Sequence, residues 1–261
     1  MGCCASDLTD SKANRIGRWR STGIVAIRDS KLKSFPIEVL ELGTAVRTLD
    51  VSHNKLVSIP ADIFKLSNLQ RLILTDNIIN RLPTSMGRLE VLKVLALDGN
   101  QLSSLPDELG QLMRVERFSI SRNVLSSLPD TIGTLSNLLL LNVSSNKLKK
   151  LPESIGNCVS LEELQADDND IDGLPNSLSR LSRLKLLSLD NNHVSEIPAN
   201  LLKNCKALQH LSLHGNPFSM DQFQQMEGFQ EFEARRRSKF DKQIDSNVMI
   251  GSKGLDEGVD M

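Results

Sequence analysis

The sequence predicts an α/β solenoid, a curved parallel sheet on one face and short helical turns on the other, closed by a cap at each end. Three observations carry this. Asparagine recurs every 23 residues at Asn54, Asn77, Asn100, Asn123, Asn146, Asn169 and Asn192, and after 24 at Asn216. Proline keeps the same step from Pro60 through Pro83, Pro106, Pro129, Pro152 and Pro175 to Pro198, with Pro36 standing 24 residues before the first. Leucine fills fixed places between them, as at Leu92, Leu95, Leu97, Leu102, Leu105, Leu109 and Leu112. A single coil of this length cannot bury its apolar side, so the coils must stack, and stability becomes a sum of coil and neighbour terms.

Each part of the coil has a physical reading. Leu95 and Leu97 alternate with outward positions, so residues 93–98 read as a short strand with one inner face. Asn100 follows where the chain turns away, and an amide that both donates and accepts can satisfy the backbone of a buried turn, coil after coil. Pro106 lacks an N–H and suits the first position of a helical turn. Asp107 and Glu108 place negative charge at that turn's positive end, and Gly110 is expected to let the backbone leave it. With a period in the twenties, this is the leucine-rich repeat signature.

The ends depart from the pattern. Residues 1–21 read as a lipidated basic segment and cap, 22–218 as the solenoid of about nine coils, 219–242 as a capping helix and 243–261 as a disordered tail. The start, Met1-Gly2-Cys3-Cys4-Ala5-Ser6, fits the acceptor pattern for N-myristoylation of Gly2. One myristoyl chain holds a membrane only marginally, and palmitoylation of Cys3 and Cys4 would supply the second signal. Lys12, Arg15, Arg18, Arg20, Arg28, Lys31 and Lys33 add a basic flank that an anionic leaflet attracts. A helix over residues 10–20, with Ile16 and Trp19 on one face, would cover the first coil. That coil, residues 24–35, is degenerate, with Ser30 in place of the asparagine. After Pro217 the chain concentrates five of its eight phenylalanines. Ser219 starts a helix, Phe223, Met226, Phe229 and Phe232 cover the last coil, and Arg235-Arg236-Arg237 form the solvated end.

The strand register sets outward rows on the concave face. One runs Thr48, Arg71, Val94, Arg117, Leu140, Glu163, Leu186, His210. The next runs Asp50, Ile73, Ala96, Ser119, Asn142, Gln165, Ser188, Ser212, and a third contains Asp98, Asp167, Asp190 and His214. Ile73, Val94, Leu140 and Leu186 are apolar where the register points them at water. Arg71, Arg117 and Arg122 lie in the first half to the middle, and Glu163, Asp167 and Asp190 lie toward the C-terminal end. Apolar side chains among sorted charges on a concave ridge suggest one oriented protein partner. Asp50 and Asp98 complete the candidate contact residues.

Other function classes find little support. Lys+Arg 31 against Asp+Glu 32 gives no basic excess for nucleic acid, and aromatics are 3%. Cys158 and Cys205 occupy apolar positions and read as buried hydrophobes in a reduced compartment. No phosphate loop, metal spacing or nucleophile-and-base grouping occurs, so neither cofactor nor enzymatic activity is expected. The four histidines read as surface residues. Apolar runs are far too short to span a membrane.

The repeats ending LPTSMGRL, LPDELGQL, LPDTIGTL and LPESIGNC resemble those of the intracellular Ras-group leucine-rich repeat proteins. That resemblance implies a lipid-anchored interaction protein on the cytoplasmic side of a membrane, with no catalytic residues; a monomer at the plasma membrane first, with a soluble cytoplasmic pool besides, is the expectation here. Scaffolding in signalling or trafficking is the leading expectation. The rival is a regulatory subunit of a phosphatase or a small GTPase pathway enzyme.

Overall fold

The computed structural model describes residues 12–247, with side chains described to residue 238. Gly2, Cys3 and Cys4 lie outside the described residues, as does 248–261, most of the expected tail. Nine parallel strands follow one another in a single sheet in chain order. They are β1 Ile24–Ala26, β2 Thr48–Asp50, β3 Arg71–Ile73, β4 Val94–Ala96, β5 Arg117–Ser119, β6 Leu140–Asn142, β7 Glu163–Gln165, β8 Leu186–Ser188 and β9 His210–Ser212. Each strand spans three residues, shorter than the six that alternation suggests. The inter-coil bonding nevertheless continues, since the N–H of Leu97 donates to Ser119 O at 2.8 Å and that of Gly99 to Ser121 O at 2.9 Å. The chain bends there because the residue before each ladder asparagine is left-handed, as at His53, Asp76, Gly99, Arg122, Ser145, Asp168, Asn191 and Gly215.

The convex turns are mostly 3-10 helices of five residues, such as Asp107–Gln111. Two sequence expectations change here. Pro106 sits one residue before the turn rather than first within it, with extended φ −72° and ψ 142°. Its missing N–H costs nothing there, and its carbonyl accepts from Leu109 N at 3.1 Å. Gly110 does not adopt a left-handed exit, being absent from the positive-φ positions. It is small because the next coil lies against it: an added Cβ would meet Thr131 Cβ and Thr131 O, each at 2.7 Å. The period fixed the residue type, and the neighbouring coil supplies the reason.

Inside, one continuous apolar cluster runs from Trp19 to Phe232. At the N-terminal end, helix α1 (Lys12–Thr22) buries Trp19 and packs Ile16 on the core. The Arg15 guanidinium stacks 5.1 Å from the Trp19 ring centroid and pairs with Glu38 at 3.7 Å. Gly23 O accepts from Arg47 N, just as Arg47 O accepts from Gln70 N. Hence α1 occupies the convex slot that the 3-10 segment Ile37–Ala45 fills one coil later, a lid over the open end.

At the other end, α2 (Leu201–Asn204) is the last convex turn. The expected single capping helix is two, α3 (Met220–Gln224) and α4 (Phe229–Asn247), separated at Gly228, where φ is +89°. Ser219 caps α3, accepting from Gln222 N at 3.5 Å. The α4 helix runs through residue 243, where the tail was expected to begin. Phe223 meets Phe218, Phe229 and Phe232 edge-on, with centroids 5.7, 5.2 and 6.0 Å away. Of the arginine trio only Arg237 is a solvated end. Arg235 turns back and donates to Leu208 O at 3.1 Å and Leu202 O at 3.2 Å. Burial holds its guanidinium below its ordinary pKa. Arg236 pairs with Glu233 at 3.1 Å.

Candidate interaction face

The asparagine column underlies the concave face and sets its regularity. Asn100 donates to Leu74 O (3.1 Å), Leu97 O (2.9 Å) and Asp98 O (3.3 Å), and accepts from Ile79 N at 3.0 Å. Asn54, Asn77, Asn123, Asn146, Asn169, Asn192 and Asn216 repeat the arrangement. Each asparagine thus completes the backbone of the coil before it. The turn N–H and C=O groups it reaches are paired directly, so successive strands keep a constant register.

That register places the outward rows as the sequence orders them. Arg71, Val94, Arg117, Leu140, Glu163 and Leu186 are Cα partners across successive strands, as are Asp50, Ile73, Ala96 and Ser119. Arg71 and Arg117 are exposed, while Ile73, Val94, Leu140, Glu163 and Leu186 are half-buried among their neighbours. The strand rows therefore bring these seven together on one ridge.

The aspartates behave differently. Asp50 is buried beneath Arg28, whose guanidinium lies 2.6 Å from its carboxylate, and it also accepts from Ser52 Oγ at 2.7 Å. Burial alone would push the Asp50 carboxyl up. The bonds from Ser52 and Arg28 and the Arg28 charge outweigh it and hold the group below the ordinary range. Asp98 accepts from Ser119 Oγ at 2.5 Å, Ser121 N at 2.8 Å and Ser121 Oγ at 2.7 Å, all on the following coil. Asp167 does the same with Ser188 Oγ (2.6 Å) and Asp190 N (2.8 Å), and Asp190 with Ser212 Oγ (2.6 Å) and His214 N (2.7 Å). These carboxylates stitch coils together before they meet any partner. The signal was present in the sequence, since a serine follows 21 or 22 residues after each of Asp98, Asp167 and Asp190.

Beside them runs a fourth row formed by the left-handed turn residues. Asp76 accepts from Arg122 at 3.1 Å, two coils away, and faces His53 at 3.3 Å. Gly99, between Asp76 and Arg122, leaves the space this pair crosses, because a Cβ there would collide with the Asp76 carboxylate. Arg122 is thereby anchored on the rim. Asp168 accepts from Ser145 at 3.3 Å and Asn191 at 2.8 Å. His214 is half-buried, with Nδ1 4.0 Å from Asp190, and is not the free surface histidine expected.

Among the described residues no group of three or more His, Cys, Asp or Glu could hold a metal ion, and no helix is long and apolar enough to cross a membrane. Cys158 and Cys205 are buried as expected, and burial pushes their thiols up to about 12 and about 11.

The leucine rich repeat family pattern matches residues 44–102 and 113–171. A rice protein (Oryza sativa subsp. japonica), plant intracellular Ras-group-related LRR protein 7, is 75% identical over 261 residues, covering 100% of both chains. Among solved structures, a leucine-rich repeat protein of Leptospira interrogans aligns with TM-score 0.59 at 29% identity, over 73% of this chain and 54% of that one. A TDR receptor aligns with TM-score 0.62 at 31% identity, over 71% of this chain and 37% of its own. Full-length similarity to the rice protein, on a sheet built by the same repeat, shows that the chain belongs to the plant intracellular Ras-group-related leucine-rich repeat proteins.

Proposed function

We propose that this protein is a non-enzymatic scaffold that docks a protein partner on its concave sheet in intracellular signalling or trafficking. One observation carries the reading. The strand rows set half-buried Ile73, Val94, Leu140 and Leu186 among Arg71, Arg117 and Glu163 on one ridge. Apolar anchors within a charged frame are what an oriented polypeptide contact uses. The contact residues are these seven. Arg122 lies on the rim, and Asp50, Asp98, Asp167 and Asp190 serve first as internal braces.

The same reading holds the chain on the cytoplasmic face of a membrane, the plasma membrane first, through myristoyl at Gly2 and palmitoyl at Cys3 or Cys4. Part of the expected basic flank is already engaged, Arg28 by Asp50 and Arg15 by Glu38. Proximity labelling from the full chain in cells tests the docking reading. Arg71→Glu with Arg117→Glu is expected to remove specific neighbours while leaving the thermal melt unchanged. An unaltered set of neighbours overturns the concave contact. Alkyne-myristate labelling, lost in Gly2→Ala, tests the anchor.

A further inference from the structure

The edge of the solenoid that joins the strands to the convex turns carries a charge pattern that the concave face does not use. Lys31, Lys55 and Ile78 fall in one row along it, Lys33 and Val57 in the next, and Ser58 and Arg81 in a third. Backbone bonds fix this alignment: Lys55 N donates to Leu32 O at 2.7 Å, Ile78 N to Leu56 O at 3.0 Å, and Ser58 bridges Arg81. The four basic side chains are exposed, and Val57 and Ile78 between them are 45% and 39% exposed. Arg81 also borders a shallow trough of about 500 Å³ with Ser58, Ser103 and Ser104. One guanidinium and three hydroxyls there offer donors to a phosphate.

The position of α1, together with the anchor proposed above, selects the occupant. Arg15, near the start of α1, pairs with Glu38 at the start of the 3-10 segment one coil later, so α1 begins on the side of the coil where that segment begins, beside this edge. Gly2 lies ten residues earlier, so its amide is within roughly 35 Å of Lys12 even fully extended. We propose that Lys31, Lys33, Lys55 and Arg81, with Val57 and Ile78, form a membrane-contact edge for anionic lipid headgroups. The proposal rests on the membrane reading above and adds the surface that touches the bilayer. The far end of the edge is built to stay off it. Lys147 and Lys149 are followed one coil on by Asp170 and Asp172 in the same rows, as Asp170 N donating to Leu148 O and Asp172 N donating to Lys149 O show; acids one strand spacing of about 4.8 Å away offset their attraction for a leaflet. The solenoid would then meet the membrane by its first coils, leaving the concave sheet open to the side.

The test uses the full chain expressed without acylation, sedimented with phosphatidylcholine vesicles containing or lacking phosphatidylserine. The parent is expected to partition onto the anionic vesicles only, and less as salt rises. The combined Lys31→Glu, Lys33→Glu, Lys55→Glu and Arg81→Glu variant is expected to lose roughly tenfold or more in partitioning with an unchanged melt. The Lys147→Glu and Lys149→Glu variant should lose less than about threefold, since Asp170 and Asp172 already offset those charges and they lie away from the contacting coils. The edge is overturned if the unacylated parent ignores anionic vesicles, if the four-site variant binds like the parent, or if both variants lose equally. Because acyl groups are absent throughout, the outcome is separate from that of the Gly2→Ala labelling experiment.

Discussion

Replacing Gly110 with alanine separates two explanations for the glycine that recurs on the convex side. Were the glycine there for its backbone freedom, alanine would be strained by a left-handed φ. Its φ is not positive, so on conformation alone alanine would stabilise the turn by about 0.5–1 kcal/mol. Contact with the next coil reverses that sign. The new Cβ would lie 2.7 Å from Thr131 Cβ, 2.7 Å from Thr131 O and 2.8 Å from Thr134 Oγ1, against an ordinary contact near 3.4 Å and beyond. All three atoms belong to main chain or to stiff β-branched side chains, so the coils must part by several tenths of an ångström. Overpacking of this kind costs about 1–3 kcal/mol. At ~2–4 °C per kcal/mol for a chain of this size, the melt should fall by several degrees. Gly173 is the matched control, with no atom within 4 Å of an added Cβ and no positive φ. Gly173→Ala is expected within about 0.5 kcal/mol of the parent. Circular dichroism melts of both variants decide the matter. A Gly110→Ala protein that melts with or above the parent refutes the argument from coil contact.

Three further outcomes follow from the same geometry. Asn100→Ala leaves the buried Ile79 N–H without its acceptor and removes one of the two amide donors to Leu74 O and Leu97 O; a loss of about 1–3 kcal/mol is expected by urea titration. Arg235→Ala uncovers the carbonyls of Leu202 and Leu208 and should cost about 1–3 kcal/mol, with tryptophan fluorescence of Trp19 at the opposite end reporting whether the melt stays cooperative. The thiols of Cys158 and Cys205 stand above their ordinary value of 9.0, at about 12 and about 11. They stay protonated in the folded chain after the unfolded chain has released them, so their contribution is complete below pH 9 and is lost as pH climbs through the folded values. Tyr is absent, which removes one class of group that titrates near pH 10, and the Cys158→Ala comparison subtracts the lysines common to both proteins. Stability should fall more between pH 8 and pH 10 in the parent than in Cys158→Ala, and the Cys158 and Cys205 thiols, followed by peptide mapping, should resist alkylation at pH 8 until urea unfolds the coils.

The parts legible in the sequence are those that repeat along one dimension. The asparagine column, the inward leucines and the outward rows through Arg71, Val94 and Leu140 follow from a period and an alternation. What stayed hidden depends on which atom of the next coil lies opposite. Gly110 looks like a turn residue until Thr131 is seen against it. Asp98, Asp167 and Asp190 look like a free acidic patch until the serines of the following coil close on them. Arg235 lies within three consecutive arginines that read as solvated, and its approach to Leu208 O comes from the break at Gly228 that folds α4 back. Six-residue strands were over-read because the left-handed residue before each asparagine, a type that varies from His53 to Ser145, carries no single identity to recognise.

The hydrogen bonding of the asparagine column has a direction. Asn77 finishes the coil of Leu56, Asn100 that of Ile79, and Asn216 that of Val194. A coil emerging from the ribosome is therefore incomplete until the asparagine 21 residues further on follows. The growing tip always holds one unsatisfied turn, whereas everything behind it is sealed. Synthesis from the N-terminus and the polarity of these bonds run the same way, so each newly made segment closes its predecessor.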